Sequence, residues 1–227
     1  KKLSIFKSIS SDETSKYINQ SKSYISGIPK LISTKNCLKN LNNRLSNGFF
    51  VFDIESNPDE NHDFLFGFLS VKNIYYPFDQ NVYEPILNLN SSNQNTKEIE
   101  KIFKKFDSNI DWPILHYGET EKISIINLAK KIGFDSNKIE ILKLRFVDLH
   151  IIIRHSWILP LKNYSLKSVA NWTGFDWTQK NASGSKALFW WLQYKRTLNQ
   201  SFLDKIIRYN HDDCLATLSV AIWLIKN

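Results

Sequence analysis

The 227-residue sequence predicts an α/β domain with a mixed central β-sheet flanked by helices. Three apolar segments follow one another over 49–55, 64–71 and 74–78, and hairpin-like succession of this kind predicts antiparallel strands. Beyond residue 96, helical and strand-like segments alternate, and such alternation adds parallel strands through crossover connections. The two patterns together predict antiparallel and parallel strands in one sheet.

The apolar segment 49–55 predicts the strand around which the chain is organised. It is rich in aromatic and β-branched residues and is bounded by Asn-Gly before it and Ser-Asn-Pro after it. Because strand side chains alternate, Asp53 and Glu55 point to the same face. Two adjacent carboxylates in an apolar strand need compensation, which a hard cation such as Mg²⁺ or Mn²⁺ supplies. An alternative is that the strand ends near Asp53 and both acids face water in a turn.

The segments on either side complete the predicted architecture. Residues 1–47 are polar, with apolar residues too sparse for a core of their own, so they predict a helical N-terminal extension or linker ahead of one domain at 48–227. The Asn- and Ser-rich segment 88–96 predicts a loop. Amphipathic spacing and capping residues predict the remaining elements, which are a helix from Thr96, a strand at 113–117, a helix from Glu121 to Ile132, and helices at Val147–Arg154, Leu166–Trp172 with Ser165 as N-cap, Ser185–Leu198 and Phe202 to the C-terminus with Ser201 as cap.

The last predicted helix carries a tyrosine and an acid that can face the same site. Tyr209 and Asp213 are four residues apart, which places them one turn apart on one helical face. Asp213 adjoins an apolar stripe that includes Leu203, Ile207 and Leu218, so it is expected at the edge of the buried face. This position permits a metal ligand; the alternative is a solvated Asp213 with Tyr209 packing against the core.

Composition limits the class of protein and its surroundings. There is no run of about 18 apolar residues and no signal-peptide pattern, so we expect neither a membrane partner nor secretion. Cys37 and Cys214 lack zinc-binding spacing and are expected to be reduced thiols in a cytoplasmic protein. The absence of methionine and the start at Lys1 predict a fragment of a longer protein.

The net charge of +8 is concentrated in one part of the chain. Residues 138–208 hold 12 Lys and Arg against 4 Asp and Glu. A basic segment facing an acidic metal site suits a phosphodiester substrate, because cations attract the nucleic-acid backbone while carboxylates hold the ions. The alternative is a solubilising lysine-rich surface.

The order of these motifs resembles a known nuclease superfamily. Asp-x-Glu in the first strand, an acid after a later strand and Tyr-x-x-x-Asp on a late helix are similar to the tyrosine branch of the DEDD 3′-to-5′ exonucleases, which have a ribonuclease H-like fold. More narrowly, the chain resembles the ribonuclease H-like domain at the C-terminal side of RecB-like nucleases. The matching segments are 52–55, 116–118 with Glu121, 147–149, 164–167 with Gly174, 190–191 and 208–217.

The resemblance implies a metal-dependent exonuclease and assigns roles to particular residues. Asp53 and Asp213 would bind a first Mg²⁺ or Mn²⁺, Asp53 would bridge to a second ion, and Glu55 would complete the inner site. Tyr209 would hold the attacking water. A tyrosine of ordinary pKa near 10 is a poor base at neutral pH, so orienting the water is its expected role. The implied partners are a single-stranded 3′ end of DNA or RNA, with DNA favoured, and a covalently linked RecB-like nuclease domain.

The second acidic motif departs from the superfamily. Most members have Asp there, whereas this segment offers Glu119 and Glu121. We choose Glu121, because the narrower family resembles His-Tyr-Gly followed by Glu at that place; Glu119 is the alternative. A misplaced carboxylate would hold the second ion weakly. Two other functions stay open. One is a degenerate nucleic-acid-binding module that supports a RecB-like domain, and the other is a structure-specific endonuclease, because the same fold also hosts endonucleases.

Several neighbouring residues have both a functional and a structural interpretation. Asp148 is either a reserve ligand or a helix cap, and His116 and His211 are expected to form scaffold hydrogen bonds. Lys167 has the charge to contact phosphate. Four tryptophans could stack on bases, although their helical positions among apolar residues favour core packing; these are Trp172, Trp177, Trp190 and Trp191.

Overall fold

The computed structural model describes residues 11–32, 36–90 and 96–227. Within these ranges the helices are α1 Ser11–Ser26, α2 Asn36–Leu45, α3 Thr96–Asp107, α4 Thr120–Lys131, α5 Ser136–Arg145, α6 Leu149–Ser156, α7 Leu166–Trp172, α8 Gly184–Thr197 and α9 Gln200–Lys226. The strands are β1 Lys30–Leu31, β2 Phe49–Asn57, β3 His62–Val71, β4 Val82–Leu87, β5 Ile114–His116, β6 Phe146–Asp148 and β7 Trp157–Ile158. Short 3₁₀ turns occupy Pro58–Glu60 and Phe78–Gln80.

Five strands form the central sheet in the order β4-β3-β2-β5-β6. β3 is antiparallel to both β2 and β4, whereas β5 is parallel to β2 and β6 is parallel to β5. Helices cover both faces of this mixed sheet. The predicted fold class is therefore confirmed.

β2 is buried because its two faces pack against different layers of helices. Phe50 and Phe52 point to the face covered by α3 and α4, where their rings surround Phe106. Val51 points to the opposite face, in the cluster that contains apolar residues of α9. Asp53 follows on the same face as Val51, so the strand's alternation presents it toward α9.

The third predicted strand was placed wrongly. Residues 74–78 form turns rather than a strand, because Asn73 Oδ1 accepts a hydrogen bond from the Tyr75 amide and Pro77 precedes a 3₁₀ turn. The partner of β3 is instead β4, an exposed edge strand. β4 contains Pro85 and polar residues, which edge strands tolerate, and for this reason it lacks the apolar pattern of a strand.

Two further element predictions needed correction. The predicted helix Val147–Arg154 begins in β6, a strand of only three residues, and becomes helical at Leu149. The last helix is capped by the Asn199 side chain, which accepts from the Ser201 amide, rather than by Ser201. The N-cap role predicted for Ser165 is confirmed, since its side chain accepts from the Ser168 amide.

The N-terminal segment packs onto the rest of the chain. Leu41 and Leu45 of α2 are buried in the same core cluster as Leu218 of α9. The segment also contains a strand that was not predicted, β1, which pairs with β7. Residues 1–10 and 33–35 of the predicted helical extension, and 91–95 of the predicted loop, lie outside the described residues. The domain boundary at residue 48 stays a prediction.

No helix in the described part of the chain combines the length and apolar character that a membrane crossing requires.

Candidate functional site

Three carboxylates from two distant parts of the chain meet between β2 and α9. Oxygen atoms of Asp53, Glu55 and Asp213 all lie within 4.8 Å of one another. Glu55 and Asp213 are only 7 % and 9 % exposed, and Asp53 is half-buried. Glu55 immediately precedes a shift in the β2–β3 register between residues 55 and 56. Such irregularities commonly redirect a strand beside a functional site.

The carboxylate cluster is electrostatically unfavourable without a cation. Burial, followed by the negative charge of Asp213, raises the pKa of both Asp53 and Glu55 well above the usual range. Burial also raises the pKa of Asp213 to about 7, although hydrogen bonds from Trp177 and Tyr209 oppose this shift. An all-oxygen set of three carboxylates is the donor set that hard divalent cations such as Mg²⁺ or Mn²⁺ prefer. The residues present therefore fit such an ion.

Tyr209 lies one turn before Asp213 on α9, and its hydroxyl forms a hydrogen bond with the Asp213 carboxylate. Burial and the charges of the three carboxylates raise the pKa of Tyr209 above its ordinary value. The hydroxyl is consequently protonated at neutral pH. In this form it can donate a hydrogen bond but cannot act as a base.

Asn210 is fully buried and connects α9 to both acids of β2. Its Nδ2 atom lies 2.7 Å from Asp53 Oδ2 and 3.4 Å from Glu55 Oε1. Sequence reasoning did not single out this residue. The available signal was Gly67 in the interior of β3, since a glycine within a strand often marks a close approach by another group. Gly67 is paired with Asp53 in the register, and a Cβ atom built on it would lie 1.7 Å from Asn210 Oδ1.

We expect Gly67→Ala to destabilise the protein by about 2–4 kcal/mol, because the methyl group would displace the buried Asn210 amide from its hydrogen bonds. Urea denaturation monitored by circular dichroism measures this change. Gly184→Ala is the matched control, since a Cβ atom there meets nothing within 4 Å. Equal stability of the two variants would contradict the close approach.

Trp177 and Thr178, in the loop between α7 and α8, hold two adjacent acids of α9, Asp213 and Asp212. Trp177 Nε1 donates to Asp213 Oδ1 at 2.6 Å. The neighbouring Thr178 donates its amide and its hydroxyl to Asp212 Oδ2, at 2.9 and 2.7 Å. Trp177 is buried as predicted, but its hydrogen bond to the site was not predicted. A buried tryptophan N–H usually requires a partner, and this was the only signal in the sequence.

The sequence of this domain matches a known family. A family model described as the RNase H superfamily matches residues 50–225. The chain belongs to the ribonuclease H superfamily. The match contains β2, α9 and all three clustered carboxylates. Membership suggests a metal-dependent nuclease acting on nucleic acid. The searches of curated proteins and of solved structures each gave no match.

In this ribonuclease H-family chain, the two candidates for the second acidic motif occupy different surroundings. Glu121 is buried in the first turn of α4, and its charge contributes to the raised pKa of Asp53 and Glu55. It lies outside the cluster of three carboxylates, and its Oε2 has no hydrogen-bond partner among the described residues. Glu119 is exposed at the start of α4. Of the two, Glu121 is therefore the one that lies beside the site.

Glu121 also faces a histidine. His116 Nδ1 lies 3.6 Å from Glu121 Oε2 and 2.6 Å from the Gly118 carbonyl oxygen. His211 stacks against Tyr83 with ring centroids 4.4 Å apart. Neither histidine belongs to the carboxylate cluster found among the described residues.

Asp148 and Lys167 have structural partners in this ribonuclease H-like fold. Asp148 Oδ1 accepts from the amides of His150 and Ile151, which caps α6, and from the Gly118 amide. Lys167 Nζ donates to the Ala182 carbonyl oxygen at 2.8 Å. The positive charge of Lys167 also opposes the rise in the pKa of Asp213. Trp190 and Trp191 are buried in a core cluster, and Trp172 packs against another, as expected.

Proposed function

We propose that the chain is a 3′-to-5′ exonuclease of the tyrosine branch of the DEDD superfamily, acting on single-stranded nucleic acid, with DNA favoured. The observation that carries this proposal is the meeting of Asp53, Glu55 and Asp213 beside the Tyr209 hydroxyl. These are four of the five residues to which the resemblance assigns metal binding and water positioning; the fifth is Glu121. The fold and the family match support a phosphodiester substrate, but the direction of digestion rests on the resemblance.

Asp53, Glu55 and Asp213 would hold two Mg²⁺ or Mn²⁺ ions, with Glu121 as the fourth acid. When bound, the ions supply charge stabilisation for the attacking and leaving oxygens of an in-line displacement. Asp53 is the proposed shared ligand. Glu121 would reach the site directly or through water, because its carboxylate lies outside the three-residue cluster.

The remaining residues position reactants rather than transfer protons. Tyr209 keeps its proton at neutral pH and orients the attacking water through its hydroxyl oxygen. Trp177 holds Asp213 in place through its N–H donor. The excess of Lys and Arg over residues 138–208 would attract the phosphate backbone toward the site. We also propose that the domain begins near residue 48 and works beside a covalently linked RecB-like nuclease domain.

A strand labelled at its 5′ end tests the proposal. With Mn²⁺, the protein should produce a ladder of products shortened from the 3′ end, and Asp53→Asn should not. Blocking the 3′ terminus should stop digestion if cleavage starts there. Cleavage of circular single-stranded DNA would instead favour an endonuclease.

The second candidate function is a nucleic-acid-binding module without nuclease activity. It is favoured by one observation, the position of Glu121 outside the carboxylate cluster, because a weakly held second ion would abolish cleavage. Binding of the labelled strand with no cleavage in either Mg²⁺ or Mn²⁺ would support this candidate over the exonuclease.

A further inference from the structure

Asn210 lies between the carboxylates of Asp53 and Glu55, and its side-chain amide is a neutral hydrogen-bond donor to both. We infer that Asn210 is a positioning residue whose amide holds Asp53 and Glu55 in the arrangement that binds divalent cations, and that it thereby determines the metal affinity of the site. This inference rests on the proposed metal-dependent function. It assigns a role to a residue that lies between the expected ligands but has no oxygen directed at the cluster.

The amide group bridges the two acids of β2. Nδ2 carries two hydrogens, and it lies 2.7 Å from Asp53 Oδ2 and 3.4 Å from Glu55 Oε1. Each carboxylate therefore keeps a second oxygen that Asn210 does not engage. A charged donor such as lysine would compete with a metal ion for the same acids, whereas an amide offers donors without a formal charge. Asn210 can thus orient both carboxylates and leave their negative charge available to a cation.

The opposite end of the amide is fixed by β4. The Tyr83 hydroxyl donates to Asn210 Oδ1 at 2.8 Å and also approaches the Ile207 carbonyl oxygen at 3.4 Å. Because Oδ1 is already bound to this donor, Nδ2 must face the carboxylates. The Tyr83 ring is itself held by stacking on His211. The chain from Tyr83 through Asn210 to Asp53 and Glu55 therefore connects the edge strand to the metal site.

The sheet provides the space that this chain of contacts needs. α9 reaches the acids of β2 by passing over β3, and Gly67 is the β3 residue paired with Asp53. Any side chain at position 67 would occupy the place of the Asn210 amide. The three residues are therefore interdependent: Gly67 leaves the space, the buried Asn210 amide fills it, and the Tyr83 hydroxyl binds that amide. Such supporting hydrogen bonds around metal ligands typically contribute about 10- to 100-fold in metal affinity.

Calorimetric titration of the metal-free protein with Mn²⁺ tests the inference directly. Asn210→Leu has nearly the same size but no donor, and we expect its Kd for Mn²⁺ to rise about 10- to 100-fold. Tyr83→Phe leaves Asn210 in place without its anchor, and a smaller rise of several-fold is expected. Cleavage at saturating Mn²⁺ should fall less than the affinity does, because the ligands themselves are unchanged.

Tyr117→Phe is the matched control. It removes a half-buried tyrosine hydroxyl that donates to the Tyr164 carbonyl oxygen at 2.7 Å, away from the three carboxylates. We expect its Kd for Mn²⁺ to equal that of the unmodified protein, even if its thermal midpoint in EDTA falls. If Asn210 had a purely structural role, Tyr83→Phe would behave like this control: its stability would fall and its Kd for Mn²⁺ would not change.

The outcomes separate the inference from the proposed function. If the unmodified protein binds Mn²⁺ and Tyr83→Phe binds it equally tightly, the inference is overturned while the proposed function stands. Should Asn210→Leu fail to fold, Tyr83→Phe still decides the question, because it deletes a single oxygen atom. If the unmodified protein binds no Mn²⁺, the metal-dependent function fails, and the inference fails with it.

Discussion

Asp213→Asn is expected to reduce Mn²⁺-dependent cleavage by at least about a thousandfold, which corresponds to about 4 kcal/mol of lost charge stabilisation. The substitution keeps the size of the side chain and removes one of the three clustered carboxylates that would hold the ions. Initial rates on end-labelled single-stranded DNA at saturating Mn²⁺ measure the loss. Residual cleavage within tenfold of the unmodified rate would contradict a ligand role for Asp213.

The same substitution should make the metal-free protein more stable at pH 8. Asp213 is buried beside two further acids, and an amide removes part of their repulsion. The thermal midpoint in EDTA should therefore rise while activity is lost. Asp204→Asn on the same helix is the control, because Asp204 is exposed and bonded to Gln200, and it should change neither quantity.

The second large effect is a loss of metal-free stability as the pH rises. The pKa of Asp213 is about 7 in the folded protein, and those of Asp53 and Glu55 are raised well above their usual range. Unfolded carboxyl groups titrate near pH 4, so between about pH 4 and 7 the folded state binds more protons than the unfolded state. The free energy of unfolding must then fall with rising pH, by on the order of 4 kcal/mol from Asp213 alone.

Urea denaturation in EDTA at several pH values measures this loss. Comparison with Asp213→Asn isolates the site, because the rest of the chain is the same in both proteins. The difference in stability between variant and unmodified protein should increase from pH 5 to pH 8. A stability difference between variant and unmodified protein that stays constant with pH would show that Asp213 does not titrate in this range.

Metal binding should reverse part of the loss. Mn²⁺ at about 100 times its Kd should stabilise the unmodified protein by about 2.7 kcal/mol.

Part of this site could be predicted from the sequence because it depends on local periodicity. Strand alternation placed Asp53 and Glu55 on one face, and helical spacing placed Tyr209 one turn from Asp213. The pairing of these two elements came from the resemblance, since no local pattern shows which helix lies over which strand. Their roles in catalysis remain a proposal.

Other features could not be predicted, for identifiable physical reasons. β6 has only three residues, too few for an alternating pattern, and β4 is a polar edge strand with Pro85. The contacts of Asn210 and Trp177 depend on residues more than 30 positions away, so their hydrogen bonds become visible only when the chain is folded. Gly67 was the one sequence signal that a buried group passes across β3.

Helix α9, with 27 residues, contributes to both the candidate site and the hydrophobic core. Its first half bears Tyr209, Asn210 and Asp213, while its second half carries Leu218 and Leu224 into the main core. A rigid rod anchored in this way cannot rotate at one end alone. Loss of packing along the second half of α9 would therefore displace Tyr209, Asn210 and Asp213 together from the acids of β2. We expect the fold and the activity to be lost in one transition under heat or denaturant.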